Sequence, residues 1–121
     1  PAYLQTLTQH TNWLPGPDKI FAAFQRDLSH CEYILFGESP YPRKESANGI
    51  AFYDAAVTDL WAEKGLSKGV NKATSLRNIM KTALLAQGLI KTEADGKIPQ
   101  STIANLNKQN LIQNIGQNAH H

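Results

Sequence analysis

The sequence predicts an α/β domain, a parallel sheet flanked by helices, with helix dominating the chain as given. Tyr33-Ile34-Leu35-Phe36 is an unbroken apolar run that ends at Gly37. An alternating run would mean a strand with one wet face; a continuous one bounded by a glycine turn fits a strand buried on both faces, as in a parallel sheet covered by helices. Leu76, Ile79, Met80, Ala83 and Leu84 keep the i, i+3, i+4, i+7, i+8 spacing of an amphipathic helix. The length of 121 residues suits one domain, residues 1–121, with one modest core.

Each element follows from local signals. Tyr3, Leu4, Leu7 and Leu14 suggest a first short helix closed by the Pro15-Gly16-Pro17 turn. A second helix is expected with Ile20, Phe21, Phe24 and Leu28 on one face and with Pro17 and Asp18 in its first turn. The strand at 33–36 follows. In parallel sheets ligands bind beyond the carboxyl ends of strands, so the loop from Gly37 to Phe52 is the place to look for chemistry. Asp54 can cap a third helix carrying Val57, Leu60 and Trp61 and closing at Gly65. The clearest helix runs from about Leu76 to Gln87, with Thr74 or Ser75 as N-cap and Gly88 just past its end. Asp95-Gly96 marks a turn, and a last helical stretch with a break covers Pro99 to Ile115. One strand among so many helices is few for a complete α/β domain. The chain also begins at Pro1 rather than Met, and its end at Ala119-His120-His121 reads as appended residues, 117–121. A piece of a longer protein is therefore expected.

Composition excludes more than it assigns. Apolar and charged fractions of 41% and 18% carry no signature of disorder, collagen or a coiled coil. No apolar run approaches the ~20 residues that span a bilayer, and no signal peptide is visible, so no membrane partner is expected. Cys31, the single cysteine, has no internal disulfide partner, which fits a reducing cytoplasm. Beside an apolar strand it reads as a buried structural thiol rather than a nucleophile. His10 and His30 have no partners at metal-ligand spacing, and no Gly-rich phosphate loop or Gly-x-Ser-x-Gly elbow occurs, so neither metal nor cofactor is expected. Net charge is only +2, but Lys64, Lys68, Lys72, Arg77 and Lys81 fall within eighteen residues. Such a stripe is either a solvated basic face or a surface for phosphate backbones.

The loop after the strand reads Gly37-Glu38-Ser39-Pro40-Tyr41-Pro42 and continues to Ala47-Asn48-Gly49-Ile50-Ala51-Phe52. It resembles the first motif of the family 1 uracil-DNA glycosylases, Gly-Gln-Asp-Pro-Tyr-His followed by Ala-His-Gly-Leu-Ala-Phe, with the spacing kept throughout. Ala73-Thr74-Ser75-Leu76-Arg77-Asn78 is similar to the family's Pro-Pro-Ser-Leu-x-Asn segment, and Asp18-Lys19-Ile20-Phe21-Ala22-Ala23-Phe24 to the helix before its first strand. The resemblance covers roughly residues 14 to 88, the N-terminal half of such a domain.

The resemblance implies roles for named residues. Chemistry on a base requires extruding the nucleotide and holding it by stacking and by hydrogen bonds to its edge. Phe52 would be the platform under the base, Tyr41 the wall that excludes thymine-like bases, and Gly37 and Asn48 further parts of the base site. Ser75, with Arg77 and Lys72, would hold DNA phosphate, as helix N-termini do. Each also has a plainer reading: Phe52 as a core residue, Tyr41 as the brace of a Pro-Tyr-Pro turn, Ser75 as a helix cap.

The departures concern catalysis. The family's aspartate, which orients the attacking water and offsets positive charge on the departing sugar, is Ser39 here. A hydroxyl can position water but supplies no negative charge, and removing such a preorganised group commonly costs ~10²–10³ in rate. Glu38 could restore the carboxylate, because other glycosylases of the superfamily carry Gly-Glu-Ala-Pro-Gly at this point; equally, its backbone could serve the base while its side chain makes a salt bridge. The family's two histidines are Pro42 and Asn48. Its later Asn-bearing strand and its His-Pro-Ser segment with a penetrating leucine are not found. The stretch Leu111-Ile112-Gln113-Asn114-Ile115 is too polar for that strand, so Asn114 is not assigned to it, and the base pocket is expected to be incomplete.

The resemblance thus implies a monomeric DNA repair glycosylase that hydrolyses the N-glycosidic bond of uracil or a related deaminated base. Water is the nucleophile, and Glu38 or Ser39 positions it. The alternative is a catalytically weakened module of the same fold that still binds DNA or a base.

Overall fold

The computed structural model describes residues 2–10, 12–25 and 27–115, so residues 117–121, expected to be appended, lie outside the described residues. Its α-helices are α1 (Ala2–Gln9), α2 (Lys68–Lys72), α3 (Thr74–Ala86), α4 (Gln100–Ala104) and α5 (Lys108–Ile115). The chain divides into two compact units, Pro1–Ala56 and Val57–His121. Among the described residues no helix is long and apolar enough to cross a membrane.

In the first unit, α1 forms where Tyr3, Leu4 and Leu7 placed it, while Leu14 lies beyond it. The Trp13 indole then donates to the Leu7 carbonyl at 2.7 Å and folds the chain back on the helix. The expected second helix does not form. Three 3-10 turns stand in its place, at Pro17–Lys19, Ala22–Gln25 and Leu28–His30, with Pro17 at the start of the first. Two causes are visible. The Asp27 carboxylate accepts from the Ser29 N–H at 2.9 Å, a local bond that competes with continuing a helix. Phe21, Phe24 and Leu28 are also exposed, so the apolar stripe that would have stabilised a longer helix has nothing to pack on.

The expected strand needs the same correction. Tyr33–Phe36 has no regular secondary structure and joins no ladder, and its four residues are between 65% and 88% exposed. Extended backbone becomes a stable strand only when neighbouring strands take up its N–H and C=O groups. The described residues hold isolated bridges, Trp61 with Leu66 and Lys64 with Asn107, and no parallel sheet. Cys31 is likewise exposed rather than buried.

The second unit holds the hydrophobic core. The helix expected after Asp54 is replaced by a tight antiparallel turn, in which Ser67 N–H donates to Leu60 at 2.9 Å and Ala62 N–H to Gly65 at 3.0 Å. Once the backbone at 60–62 has these partners it no longer needs a helix, and Val57, Leu60 and Trp61 are still buried. Helix α2 went unread in the sequence. Ser67 opens it, its hydroxyl accepting from Val70 N–H at 3.1 Å. Ala73 closes α2 and also opens α3, so the expected caps Thr74 and Ser75 sit inside the first turn of α3.

Helix α3 buries Leu76, Met80 and Leu84 of the face its spacing predicts, while Ala83 is half-buried and Ile79, expected on that face, is exposed at the edge of the stripe. It ends in a Schellman motif: Leu89 N–H returns to the Leu84 carbonyl and Gly88 N–H to Leu85, both at 3.0 Å. Gly88 takes the left-handed conformation with φ 69 that this cap requires. Val70, Ile90, Ile103 and Leu111 complete the core around it. The Asp95-Gly96 turn forms, and the broken final stretch resolves into α4 and α5.

Leu84 has no exposed surface and lies on the central face of α3. Leu84→Ala is therefore expected to destabilise the second unit by about 2–5 kcal/mol, read as a lower urea midpoint by circular dichroism. An exposed Leu85→Ala change on the same helix should cost far less.

Candidate functional site

The loop from Gly37 to Asp54 forms one side of a cleft of about 360 Å³ within the first unit. Pro15, Ile20, Ala23 and Phe24 also line it, as does the segment 34–36. The volume lies near the lower end of small-molecule sites, a size suited to one planar ring.

Local chemistry gives the loop its shape. Arg43 begins a turn in which its carbonyl accepts from Ser46 N–H at 3.1 Å and from Ala47 N–H at 3.0 Å. Asn48 makes an Asx turn, its side-chain oxygen accepting from Ile50 N–H at 3.0 Å, so its amide NH₂ remains available as a donor. Gly49 has φ 82, and a Cβ there would run into the Lys19 carbonyl oxygen. This close approach brings the loop against the 3-10 turn at Pro17–Lys19 and requires glycine. Phe52 is the one non-glycine residue with positive φ, at 61, among the described residues. Holding a phenylalanine there costs about 1–3 kcal/mol, a strain typical of ligand sites.

An ion pair ties the loop at its base. The Asp54 carboxylate is buried and accepts from the Arg43 guanidinium at 3.1 Å and from Ala56 N–H at 3.0 Å. Ala55 N–H donates back to the Ser46 carbonyl at 3.1 Å. Burial raises the Tyr41 phenol above its ordinary value; the Asp54 charge adds to the rise and Arg43 opposes it. Burial, then Asp54, raises the Tyr53 phenol too.

Gly37, Glu38, Ser39, Tyr41, Asn48 and Phe52, all singled out from the sequence, line this one cleft. Glu38 and Ser39 are exposed at its rim, while Tyr41, Asn48 and Phe52 are half-buried. Such a rim can hold and orient a water molecule above an apolar floor. The phosphate candidates belong to the second unit. Lys72 is the exposed last residue of α2, and Ser75 is exposed in the first turn of α3. Arg77 is half-buried and donates to the Asn71 carbonyl at 2.8 Å, so part of its guanidinium already serves the end of α2. Among the described residues no three His, Cys, Asp or Glu side chains gather to hold a metal ion. The Arg43–Asp54 pair went unread because the sequence suggested a helix cap for Asp54, and a pairing across eleven residues of loop leaves no periodic trace.

No protein-family model matches the chain, and no curated protein matches it. Solved structures do. One is the wild-type UNG of Nitratifractor salsuginis, similar at 42% identity and a TM-score of 0.71 over 88% of this chain and 42% of that one. Another is a tyrosine-to-glycine mutant of the same UNG, with 36% identity and a TM-score of 0.72 over 95% of this chain and 50% of that one. The chain thus spans about half the length of the solved relatives it matches.

The raised phenols make stability depend on alkaline pH. An unfolded tyrosine releases its proton near pH ~10, before the folded one does, so the stabilisation is complete below that pH and is lost as pH rises through the folded value. Urea midpoints should fall as pH climbs past about 10, and the fall should be shallower in Tyr53→Phe. Equal slopes in the two proteins would contradict this.

Proposed function

From the premise that this chain belongs to the uracil-DNA glycosylase superfamily, we propose that it serves hydrolysis of the N-glycosidic bond of uracil, or a related deaminated base, in DNA. One observation carries the proposal: Glu38 and Ser39 stand at the rim of the same base-sized cleft that Tyr41, Asn48 and Phe52 line. The flipped base stacks on Phe52, Tyr41 limits its width, and the Asn48 amide and the backbone at Gly37 meet its polar edge. Ser39 donates to or accepts from a water that Glu38 orients. The water oxygen bonds to C1′ as the bond from C1′ to the base nitrogen breaks. The water's spare proton passes to Glu38, which releases it to solvent, and the departing base takes up one proton from solvent. The Glu38 charge meanwhile offsets positive charge developing on the sugar. Ser75 and the first turn of α3, with Lys72 and Arg77, hold DNA phosphates. The same proposal places the chain in a reducing cytoplasm.

Ser39 favours a second reading. With a neutral residue at the position of the family's aspartate, the chain would be a module that grips DNA or a base and hydrolyses it slowly or not at all. Uracil-containing oligonucleotides distinguish the two. Alkali-labile strand breaks that fall by ~10²–10³ in Glu38→Gln, and rise in Ser39→Asp, support the enzyme. Binding without breaks supports the module, and the absence of binding removes both.

The phosphate contacts predict a salt effect. Lys72→Ala should lower the slope of log affinity against log salt by about 1 and weaken binding equally for uracil and thymine oligonucleotides. A change confined to uracil-containing DNA would place Lys72 at the base rather than the backbone.

A further inference from the structure

Arg43 and Asp54 each stand two residues after a cleft aromatic. Tyr41 is followed by Pro42 and Arg43, and Phe52 by Tyr53 and Asp54. The 3.1 Å ion pair therefore joins the chain just beyond the proposed wall to the chain just beyond the proposed platform. Two backbone features reinforce it: the turn on the Arg43 carbonyl, and the Ala55 to Ser46 bond beside it. Nothing on the Phe52 side is relaxed, since its backbone is held at φ 61.

We propose that Arg43 and Asp54 are positioning residues for base selection: their ion pair sets the gap between Tyr41 and Phe52, and so decides whether a pyrimidine with a 5-substituent is admitted. This rests on the glycosylase reading above. Neither residue touches the base. Asp54 is buried beneath the loop, and Arg43 reaches it from a half-exposed position. The electrostatics agree with the geometry, because both charges act on the Tyr41 phenol, with opposite signs. Loss of the guanidinium would leave a buried carboxylate without its cation, and the cheapest relief is movement of the loop toward water. That movement carries Tyr41 away from Phe52. A single methyl group in a close-fitting pocket is worth ~10-fold or more in discrimination, so a small widening is measurable.

The experiment compares wild type, Arg43→Gln, Arg43→Lys and Tyr41→Gly, and adds the double variant Tyr41→Gly with Arg43→Gln. For each, relative affinity and relative excision are measured on oligonucleotides that differ only in uracil or thymine. Arg43→Gln should reduce the uracil-to-thymine ratio about tenfold, and Arg43→Lys, which keeps the charge but not the planar fork, should reduce it less. In the Tyr41→Gly background Arg43→Gln should leave the ratio unchanged, because there is no longer a wall to misplace. Where wild type prefers uracil, an unchanged ratio in folded Arg43→Gln overturns the proposal, and so does an equal reduction with and without the Tyr41 side chain. Should Arg43→Gln fail to fold, Asp54→Asn carries the same comparison. A ¹³C-labelled tyrosine ring at position 41 gives a readout independent of DNA. A Tyr41 resonance displaced by Arg43→Gln while wild type shows no base preference would mean that the glycosylase reading has failed and the ion pair has not; an undisplaced resonance sinks the ion-pair proposal itself.

Discussion

A carboxylate taken out of water has to be answered, and the organisation of the first unit follows from how Asp54 is answered. Its desolvation costs several kcal/mol unless a cation and hydrogen-bond donors meet it. Arg43 and the Ala56 N–H do so, and the chain between them has to close. Closure presses Gly49 onto the Lys19 carbonyl, turns Asn48 on its own side chain and leaves Phe52 in a left-handed backbone. The cleft is what this closed loop encloses against the 3-10 turns.

The two units reach order by different means. Val57–His121 has an apolar core that gathers Leu76, Met80 and Leu84 of α3 with Trp61, Leu66, Val70 of α2, Ile103 of α4 and Leu111 of α5. The described residues of Pro1–Ala56 are tied instead by hydrogen bonds, the Arg43–Asp54 ion pair and backbone turns, while Phe21, Phe24 and Tyr33 through Phe36 stay exposed. Local polar bonds hold short spans well but bury little apolar surface. On physical grounds the second unit is the better candidate for cooperative unfolding and for slow amide exchange.

Much of the second unit was legible in the sequence, because helical spacing, glycine stops and Asp-Gly turns are local signals. Leu76, Met80, Leu84, Gly88 and Asp95-Gly96 behave as their patterns imply. The same local logic misled at Ile20 to Leu28 and at Tyr33 to Phe36. In both stretches the pattern presumes a packing or pairing surface that the described residues do not provide. Gly37, Glu38, Ser39, Tyr41, Asn48 and Phe52, which motif spacing singled out, line one cleft. What spacing could not show was the ion pair beneath them, since Arg43 and Asp54 meet only after the loop has closed. Ala73, with no capping side chain, shows a related limit: α3 starts where α2 ends, not where the best capping residue stands.

Phe52 puts folding and ligand binding in opposition at one position. A backbone at φ 61 suits glycine or asparagine, so replacing the phenylalanine by either would relax the loop even in the empty protein. The same replacement would remove the ring from the cleft. A search for more stable variants of this chain would therefore favour losing the aromatic, and only a requirement that something flat be held in the cleft would retain it.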